Sequence, residues 1–122
     1  MRLLNLQPAV EPNERLEFEF SIQRVASKLI DGLEISVMWI TEGKGTEDFG
    51  IYMFQRLKSD ELSEIPLDQP RQISTLLPSS PLSYEGKLVK IRWCVRLRLF
   101  LKDGREFTAE KPFYLGHVTR EV

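Results

Sequence analysis

From residue 89 to residue 102 the chain alternates without interruption between apolar side chains and mostly basic ones. The apolar positions are Val89, Ile91, Trp93, Val95, Leu97, Leu99 and Leu101. The intervening positions are Lys90, Arg92, Cys94, Arg96, Arg98, Phe100 and Lys102. Because successive side chains of a β-strand point to opposite faces, this stretch is predicted to be one long strand with a wholly apolar face. The opposite face carries five cations and no anion.

Shorter alternating segments predict more strands on both sides of the long one. They lie at residues 16–23, 33–40, 49–57, 71–77 and 106–115. In residues 49–57 the alternation predicts one face with Phe49, Ile51, Met53 and Gln55, and an opposite face with Tyr52, Phe54 and Arg56. Asp103-Gly104 predicts a tight hairpin, residues 58–69 a loop, and residues 24–30 leave a single helical turn open.

About seven strands joined by short turns indicate an all-β fold, an antiparallel immunoglobulin-like β-sandwich. The inner faces are predicted to include Trp39, Trp93, Phe18 and Phe20. With 122 residues the chain is expected to form a single domain, residues 1–122.

Composition narrows the class of protein. The net charge is −1, so the molecule as a whole does not resemble a polyanion binder. A single cysteine forms no intrachain disulfide and fits a reducing compartment. No segment approaches the roughly 20 apolar residues that span a bilayer, and the first apolar residues are interrupted too early for a signal peptide. We therefore expect a cytoplasmic protein with no membrane span.

The five cations of the long strand, here called the basic stripe, permit two interpretations. They are Lys90, Arg92, Arg96, Arg98 and Lys102. The stripe is either a docking face for an acidic or phosphorylated partner, or a row paired with acids of neighbouring strands, such as Glu17 and Glu19. The near-zero net charge favours pairing. Nucleic acid is the least favoured partner, since only Phe100 supplies a stacking ring.

Three apolar residues on predicted outer faces call for another explanation. Met38, Ile40 and Phe100 would be exposed unless a bend or a loop covers them. If they share one patch, they mark a homodimer or partner interface.

The loops offer weaker candidates for binding. Lys44, Glu47 and Asp48 lie in a glycine-containing loop, which together with residues 83–86 could hold a small molecule. Neither His117 nor Cys94 has a sequence neighbour that suggests a metal site or a catalytic pair, so we expect no cofactor, no metal and no catalysis. Cys94 is either activated by the surrounding cations or covered and inert, and we favour the covered state.

The segment from Leu76 to Trp93, with Lys111-Pro112-Phe113-Tyr114-Leu115 after it, resembles the arrestin-like family. In that family a stretch of the type L-P-x-x-x-P-x-S-[FY]-x-G precedes a long strand that opens with an aromatic residue, and a later Pro-Phe closes the next strand. The resemblance implies a cytosolic sandwich that binds other proteins as an adaptor. Family members generally carry two sandwiches and phosphate-sensing lysines near the N-terminus, whereas this chain has one sandwich and only Arg2 there.

Three functions therefore remain open from the sequence. The first is an adaptor that binds other proteins, some with acidic segments, through a sheet edge or a loop. The second is a structural subunit of a homo-oligomer or larger assembly. The third is a small-ligand-binding sandwich that uses its loops.

Overall fold

The computed structural model describes residues 2–3, 9–43, 47–62, 68–86, 88–116 and 119–120. Its helical segments are a 3-10 turn at Ser27–Leu29 and the helix α1 at Ser59–Leu62. The strands in chain order are β1 (Arg2–Leu3), β2 (Ala9–Val10), β3 (Arg15–Phe20), β4 (Ile30–Gly43), β5 (Phe49–Lys58), β6 (Arg71–Leu76), β7 (Tyr84–Glu85), β8 (Val89–Leu101), β9 (Glu106–Leu115) and β10 (Thr119–Arg120).

These strands form two sheets that pack face to face. The smaller sheet has the order β1-β3-β6 and is antiparallel. In the larger sheet β5, β4 and β8 are antiparallel neighbours, and the far side of β8 pairs first with β7 and then with β9. Two short pairs, β2 with β9 and β10 with β7, are parallel. The predicted all-β, immunoglobulin-like sandwich is confirmed.

The core lies between the sheets because β3, β4 and β8 each present one apolar face. On β8 the alternation works as predicted, and the residues from Trp93 to Leu101 on the apolar parity are buried. The facing positions of β3 are Leu16, Phe18 and Phe20, each at most 2% exposed. Trp39 is half-buried and packs at the edge of this cluster. Burial of this apolar area is the main favourable contribution to folding.

The segment that carries the family resemblance closes one end of the larger sheet. The indole Nε1 of Trp93 donates a hydrogen bond to the carbonyl of Pro81 at 2.7 Å. Ser83 is buried and bridges to the end of β9: its Oγ accepts from the backbone N–H of Leu115 at 2.9 Å, and its own N–H donates to the Leu115 carbonyl. The serine and the first strand aromatic of the motif therefore have structural roles.

The prediction for the faces of β5 was wrong, because this strand contains a β-bulge. Val37 pairs with Met53, but the next residue of β4, Met38, pairs with Ile51, so Tyr52 is an extra residue. Tyr52 points towards the smaller sheet, where its hydroxyl donates to the carbonyl of Leu76 at 2.6 Å. The bulge resets the alternation beyond it.

Two loop predictions had different outcomes. The Asp103-Gly104 hairpin is confirmed, with Gly104 at φ +92° and β9 starting at Glu106. Residues 58–69 were predicted to be a loop, but α1 forms there because Leu62 anchors it in the core, where this side chain is fully buried. The turn left open at residues 24–30 is the 3-10 turn.

Candidate interaction surface

The candidate functional surface is the outer face of the larger sheet, which points away from the smaller sheet. Register places the basic parity of β8 on this face, between the even-numbered residues of β4 and those of β9. The acidic residues at these even-numbered positions are Glu34, Glu42, Glu106 and Glu110. The basic stripe therefore runs between two rows that contain carboxylates.

The three arginines of the basic stripe all form ion pairs across the sheet. Arg92 lies 2.9 Å from Glu42, and Arg96 lies 3.0 Å from Glu110. These are distances between guanidinium nitrogens and carboxylate oxygens. The cross-strand pairs leave little unbalanced positive charge at these two arginines.

Arg98 is held by two carboxylates on opposite sides. Its Nη2 lies 2.6 Å from Glu106 and its Nη1 lies 3.6 Å from Glu34. The hydrogen bond to Glu106 raises the pKa of Arg98 above the usual arginine value, so this charge is permanent. Glu34 also binds Arg56 on β5 at 3.3 Å, so the network links four neighbouring strands, β5, β4, β8 and β9.

The acids expected to pair with the basic stripe were the wrong ones. Glu17 and Glu19 lie on β3, where they are opposite Ser74 and Gln72 of β6. β3 belongs to the smaller sheet. The acids that pair with the basic stripe lie instead on β4 and β9, the strands on either side of β8. The alternation along β3 showed that the two glutamates share a face, but not which sheet contains it.

The lysines predicted to bind a partner do not all share this surface. Lys90 is exposed near the start of β8, and Lys102 is exposed in the hairpin turn beyond the end of that strand. Lys44 lies outside the described residues. The role of these lysines and of the stripe arginines in partner binding stays a prediction.

An apolar patch occupies the part of the outer face next to the stripe. We call it the outer apolar patch, and its members are Met38, Ile40, Phe49, Ile51 and Phe54. Three of them are large and exposed: Phe49 by 63%, Ile51 by 52% and Phe54 by 51%. They lie on one face because the bulge at Tyr52 changes the parity between Ile51 and Phe54. The patch lines an open concavity of 520 Å³.

Both acidic and basic residues border this patch. Glu47 and Asp48 directly precede the start of β5, while Glu34, Arg96 and Arg98 border the other side. An apolar centre with a mixed polar border is the usual anatomy of a protein–protein interface.

The structure separates the three residues expected to form an oligomer interface. Met38 is only 4% exposed, between Ile51 on β5 and Cys94 on β8, and Ile40 is half-buried. Phe100 pairs with Gly32, eight positions along β4 from Ile40, which is about 26 Å at the usual rise. Phe100 is therefore not part of the outer apolar patch.

Phe100 instead contacts the arginines at the opposite end of the outer face. The guanidinium carbons of Arg98 and Arg56 lie 5.2 Å and 5.9 Å from its ring centroid. Such cation–π contacts cover part of the ring, which explains an aromatic residue on the basic parity.

Cys94 is covered, as the sequence favoured. It is 7% exposed, and register places it between Met38 and Pro112. Burial raises the pKa of its thiol, and the nearby carboxylate of Glu110 raises it further. The thiol form therefore dominates near neutral pH, which makes Cys94 a poor nucleophile.

Gly43, where the first loop considered for a small-molecule site begins, lies near Gly86 of the second at one end of the larger sheet. Gly43 pairs with Val89, and β7 pairs with β8 at Lys90 and Ile91. Gly43 and Gly86 both line a small cavity of 220 Å³. A Cβ at Gly43 would lie 2.0 Å from the carbonyl oxygen of Leu88, so these two segments of backbone approach each other closely. Residues 44–46 and His117 lie outside the described residues.

Neither a metal-binding cluster nor a membrane-spanning helix occurs among the described residues. No group of three or more histidine, cysteine, aspartate or glutamate side chains in this part of the chain is placed to hold a metal ion. None of the helices formed by the described residues is long and apolar enough to cross a membrane.

Comparison with known proteins identifies the fold. No protein-family model matches the chain, and neither does any curated protein. Among solved structures the chain is similar to Spo0M, a sporulation control protein from Bacillus subtilis, with a TM-score of 0.56 and 11% sequence identity. The match covers 94% of this chain and 47% of Spo0M, so this chain corresponds to about half of that protein. The fold is an arrestin-like β-sandwich.

Sequence reasoning missed the main members of the outer apolar patch. Strict alternation placed Phe49 and Ile51 on one face of the strand and Phe54 on the opposite face, because it separates odd from even positions. The available signal was the high apolar content of both parities between Phe49 and Phe54. This pattern indicates either a strand covered on both sides or a bulge, and only the register with β4 decides between them.

Proposed function

We propose that this chain is a non-enzymatic protein-interaction module of the cytoplasm, and that the outer apolar patch is its contact surface. The observation that carries the proposal is the exposure of Phe49, Ile51 and Phe54 side by side on the outer face of the larger sheet. Single exposed apolar residues are ordinary, but a contiguous group with two aromatic rings is typical of interfaces.

The energetics of the patch favour an apolar partner segment. Burying the exposed part of a phenylalanine contributes roughly 1–2 kcal/mol, from about 25 cal/mol per Å². Three such residues near one another can therefore form the centre of an interface, where most of the binding free energy is concentrated. The ion-paired arginines at the border are better suited to orienting a partner than to attracting one over a distance.

The fold neighbour is compatible with this assignment. Spo0M is described as a sporulation control protein, which is a regulatory role. At 11% identity that likeness concerns the fold, so the proposed adaptor role of this chain rests on its own surface.

The test compares two surface variants in affinity capture from native lysate at low and high salt, with identification by mass spectrometry. One variant carries Phe49→Ser and Phe54→Ser in the patch. The control carries Leu76→Ser, which removes an apolar side chain of similar exposure, 49%, from the smaller sheet. We expect partners that persist at high salt and are lost only from the patch variant.

Two results would argue against the proposal. Equal capture by both variants would remove the patch from partner binding. A mass in light scattering that rises with concentration, and returns to that of a monomer in the patch variant, would instead assign the patch to self-association. That outcome would favour a subunit of a homo-oligomer.

A further inference from the structure

One edge of the larger sheet is open for most of its length. Strand β9 pairs with β8 from Glu106 to Phe113, and on its other side β2 pairs only with Tyr114 and Leu115. No other strand in the described part of the chain pairs with β9. We call residues 106–112 on this side the open edge of β9.

The alternation of hydrogen bonds along β9 shows which of its backbone N–H and carbonyl groups face the open edge. The N–H of Leu101 donates to the carbonyl of Arg105, so the odd-numbered residues of β9 bond to β8. The N–H and carbonyl groups of Glu106, Thr108 and Glu110 consequently point away from β8. Beyond them the N–H of Gly116, on the same parity, donates to Val10 of β2 at 2.7 Å.

The edge is therefore already used for strand pairing at one end. β2 is a two-residue strand that adds to β9 in parallel, directly beyond Pro112. Pro112 has the outward parity, where the lack of an N–H removes no bond to β8. A longer strand could occupy the remaining open edge in line with β2.

An apolar groove lies beneath this edge, between β9 and the segment that follows β3. It has a volume of 370 Å³, and its lining includes Ile22, Val25, Leu33, Leu97, Leu99 and Phe107. Phe107 is 50% exposed, while Leu97 and Leu99 at 8% are the least covered of the buried β8 residues. Alternate side chains of an added strand would enter this groove, because directly opposed residues of neighbouring strands share a face.

The side chains of an added strand that do not enter the groove would lie on the outer face of the larger sheet, and the charges there indicate which residues fit. On this face the side-chain charge alternates from strand to strand: acidic on β4 (Glu34), basic on β8 (Arg98) and acidic on β9 (Glu106). Glu106 and Glu110 keep 39% and 45% of their side-chain surface exposed. A next strand that continues this alternation carries lysine or arginine opposite these two glutamates.

A second copy of the chain fits the open edge poorly. An antiparallel twofold pairing in which Glu106, Thr108 and Glu110 of both copies all form the outward backbone hydrogen bonds centres on Thr108. This register places Glu106 of each copy opposite Glu110 of the other, which brings like charges together on one face. The occupant favoured by the charges is therefore a segment of a different protein.

We propose that the open edge of β9 is a strand-addition site for an extended segment of a partner protein in which apolar and basic residues alternate. The apolar residues fill the groove beside Phe107, and the basic residues face Glu106 and Glu110. Backbone hydrogen bonds to Glu106, Thr108 and Glu110 supply the register. This site is separate from the outer apolar patch and does not depend on the function proposed for it.

The probe is a fluorescently labelled peptide of alternating valine and lysine, about eight residues long, with blocked ends. Binding is measured by anisotropy to the unaltered chain and to two variants of one residue. Thr108→Pro removes the outward N–H and leaves the β8 ladder intact, as Pro112 does naturally. Thr108→Ala keeps the backbone and removes only the side chain, so it is the matched control.

We expect saturable binding to the unaltered chain, about tenfold weaker binding to Thr108→Pro, and a change within about twofold for Thr108→Ala. A valine–glutamate peptide and a serine–lysine peptide should bind at least about tenfold more weakly than the valine–lysine peptide. Circular dichroism and thermal unfolding establish whether the proline variant is folded. The variant with Phe49→Ser and Phe54→Ser in the outer apolar patch should bind the peptide normally. The two proposals can therefore be refuted independently of each other.

Amide hydrogen exchange on the unaltered chain provides a test that needs no variant. Peptide binding should slow exchange at Glu106, Thr108 and Glu110 and leave the already bonded odd-numbered amides unchanged. No binding of the valine–lysine peptide, equal binding to the proline variant, or unchanged exchange at these three amides would each overturn the proposal. A dimer that Thr108→Pro dissolves would also overturn it, since the occupant would then be a second copy.

Discussion

Replacing Trp93 by phenylalanine tests the account of how the sandwich is held together. Trp93 is a core residue only 1% exposed, and its ring packs against Phe113 with the centroids 5.9 Å apart. Tyr52, the bulge residue, meets the same ring edge-on at 6.3 Å. The Nε1 hydrogen bond to Pro81 ties the ring to the segment before β7.

The expected loss of stability has two parts. Removing part of a buried ring from a packed core costs about 1–2 kcal/mol, since complete truncation to alanine costs about 3–5 kcal/mol. The Pro81 carbonyl loses its hydrogen bond in a partly buried position, which costs about 1 kcal/mol. The sum of about 2–3 kcal/mol corresponds to a fall in Tm of roughly 10 °C for a domain of this size.

The assay compares Trp93→Phe with Trp39→Phe by denaturant and thermal unfolding. Trp39 is half-buried at the edge of the core, so its replacement should cost less than about 1 kcal/mol. Fluorescence distinguishes the two sites, because the remaining Trp93 should emit at shorter wavelength than the remaining Trp39. Equal losses of stability in the two variants, or a larger loss for Trp39→Phe, would refute this view of the core.

Three other predictions concern local features. Gly50→Ala should lower the free energy of unfolding by about 1–3 kcal/mol, since its Cβ would lie 2.3 Å from Nε1 of Trp39, and the double variant with Trp39→Ala should recover part of the loss. The carboxylate of Asp103 accepts hydrogen bonds from the backbone N–H and the Nε of Arg105, which lower its pKa. Its stabilising effect is therefore complete above the ordinary value of 3.8 and is lost as the pH falls through the lower folded-state pKa; an NMR titration should show that midpoint, and Arg105→Ala should raise it. Alkylation of Cys94 by iodoacetamide at neutral pH should be at least about 100-fold slower in the native chain than in denaturant, and comparable rates would contradict its burial.

Local sequence determined the strands that carry the fold. The alternation from Val89 to Leu101 identified β8 and its buried face, and Asp103-Gly104 identified the hairpin to β9. These features depend on side-chain period and turn conformation, which neighbouring residues specify by themselves. The same period located the aromatic core positions on β3, and with them the two-layer arrangement.

Tertiary structure decided which residues share a surface. The acids that pair with Arg92, Arg96 and Arg98 come from strands distant in sequence, so their identity depends on sheet order rather than on any local pattern. The β-bulge at Tyr52 depends on pairing with β4, and it is what gathers Phe49, Ile51 and Phe54 on one face. The open edge of β9 likewise follows from the order of the strands. Alternation along a strand tells two faces apart, but only the register between strands tells which residues meet on each face.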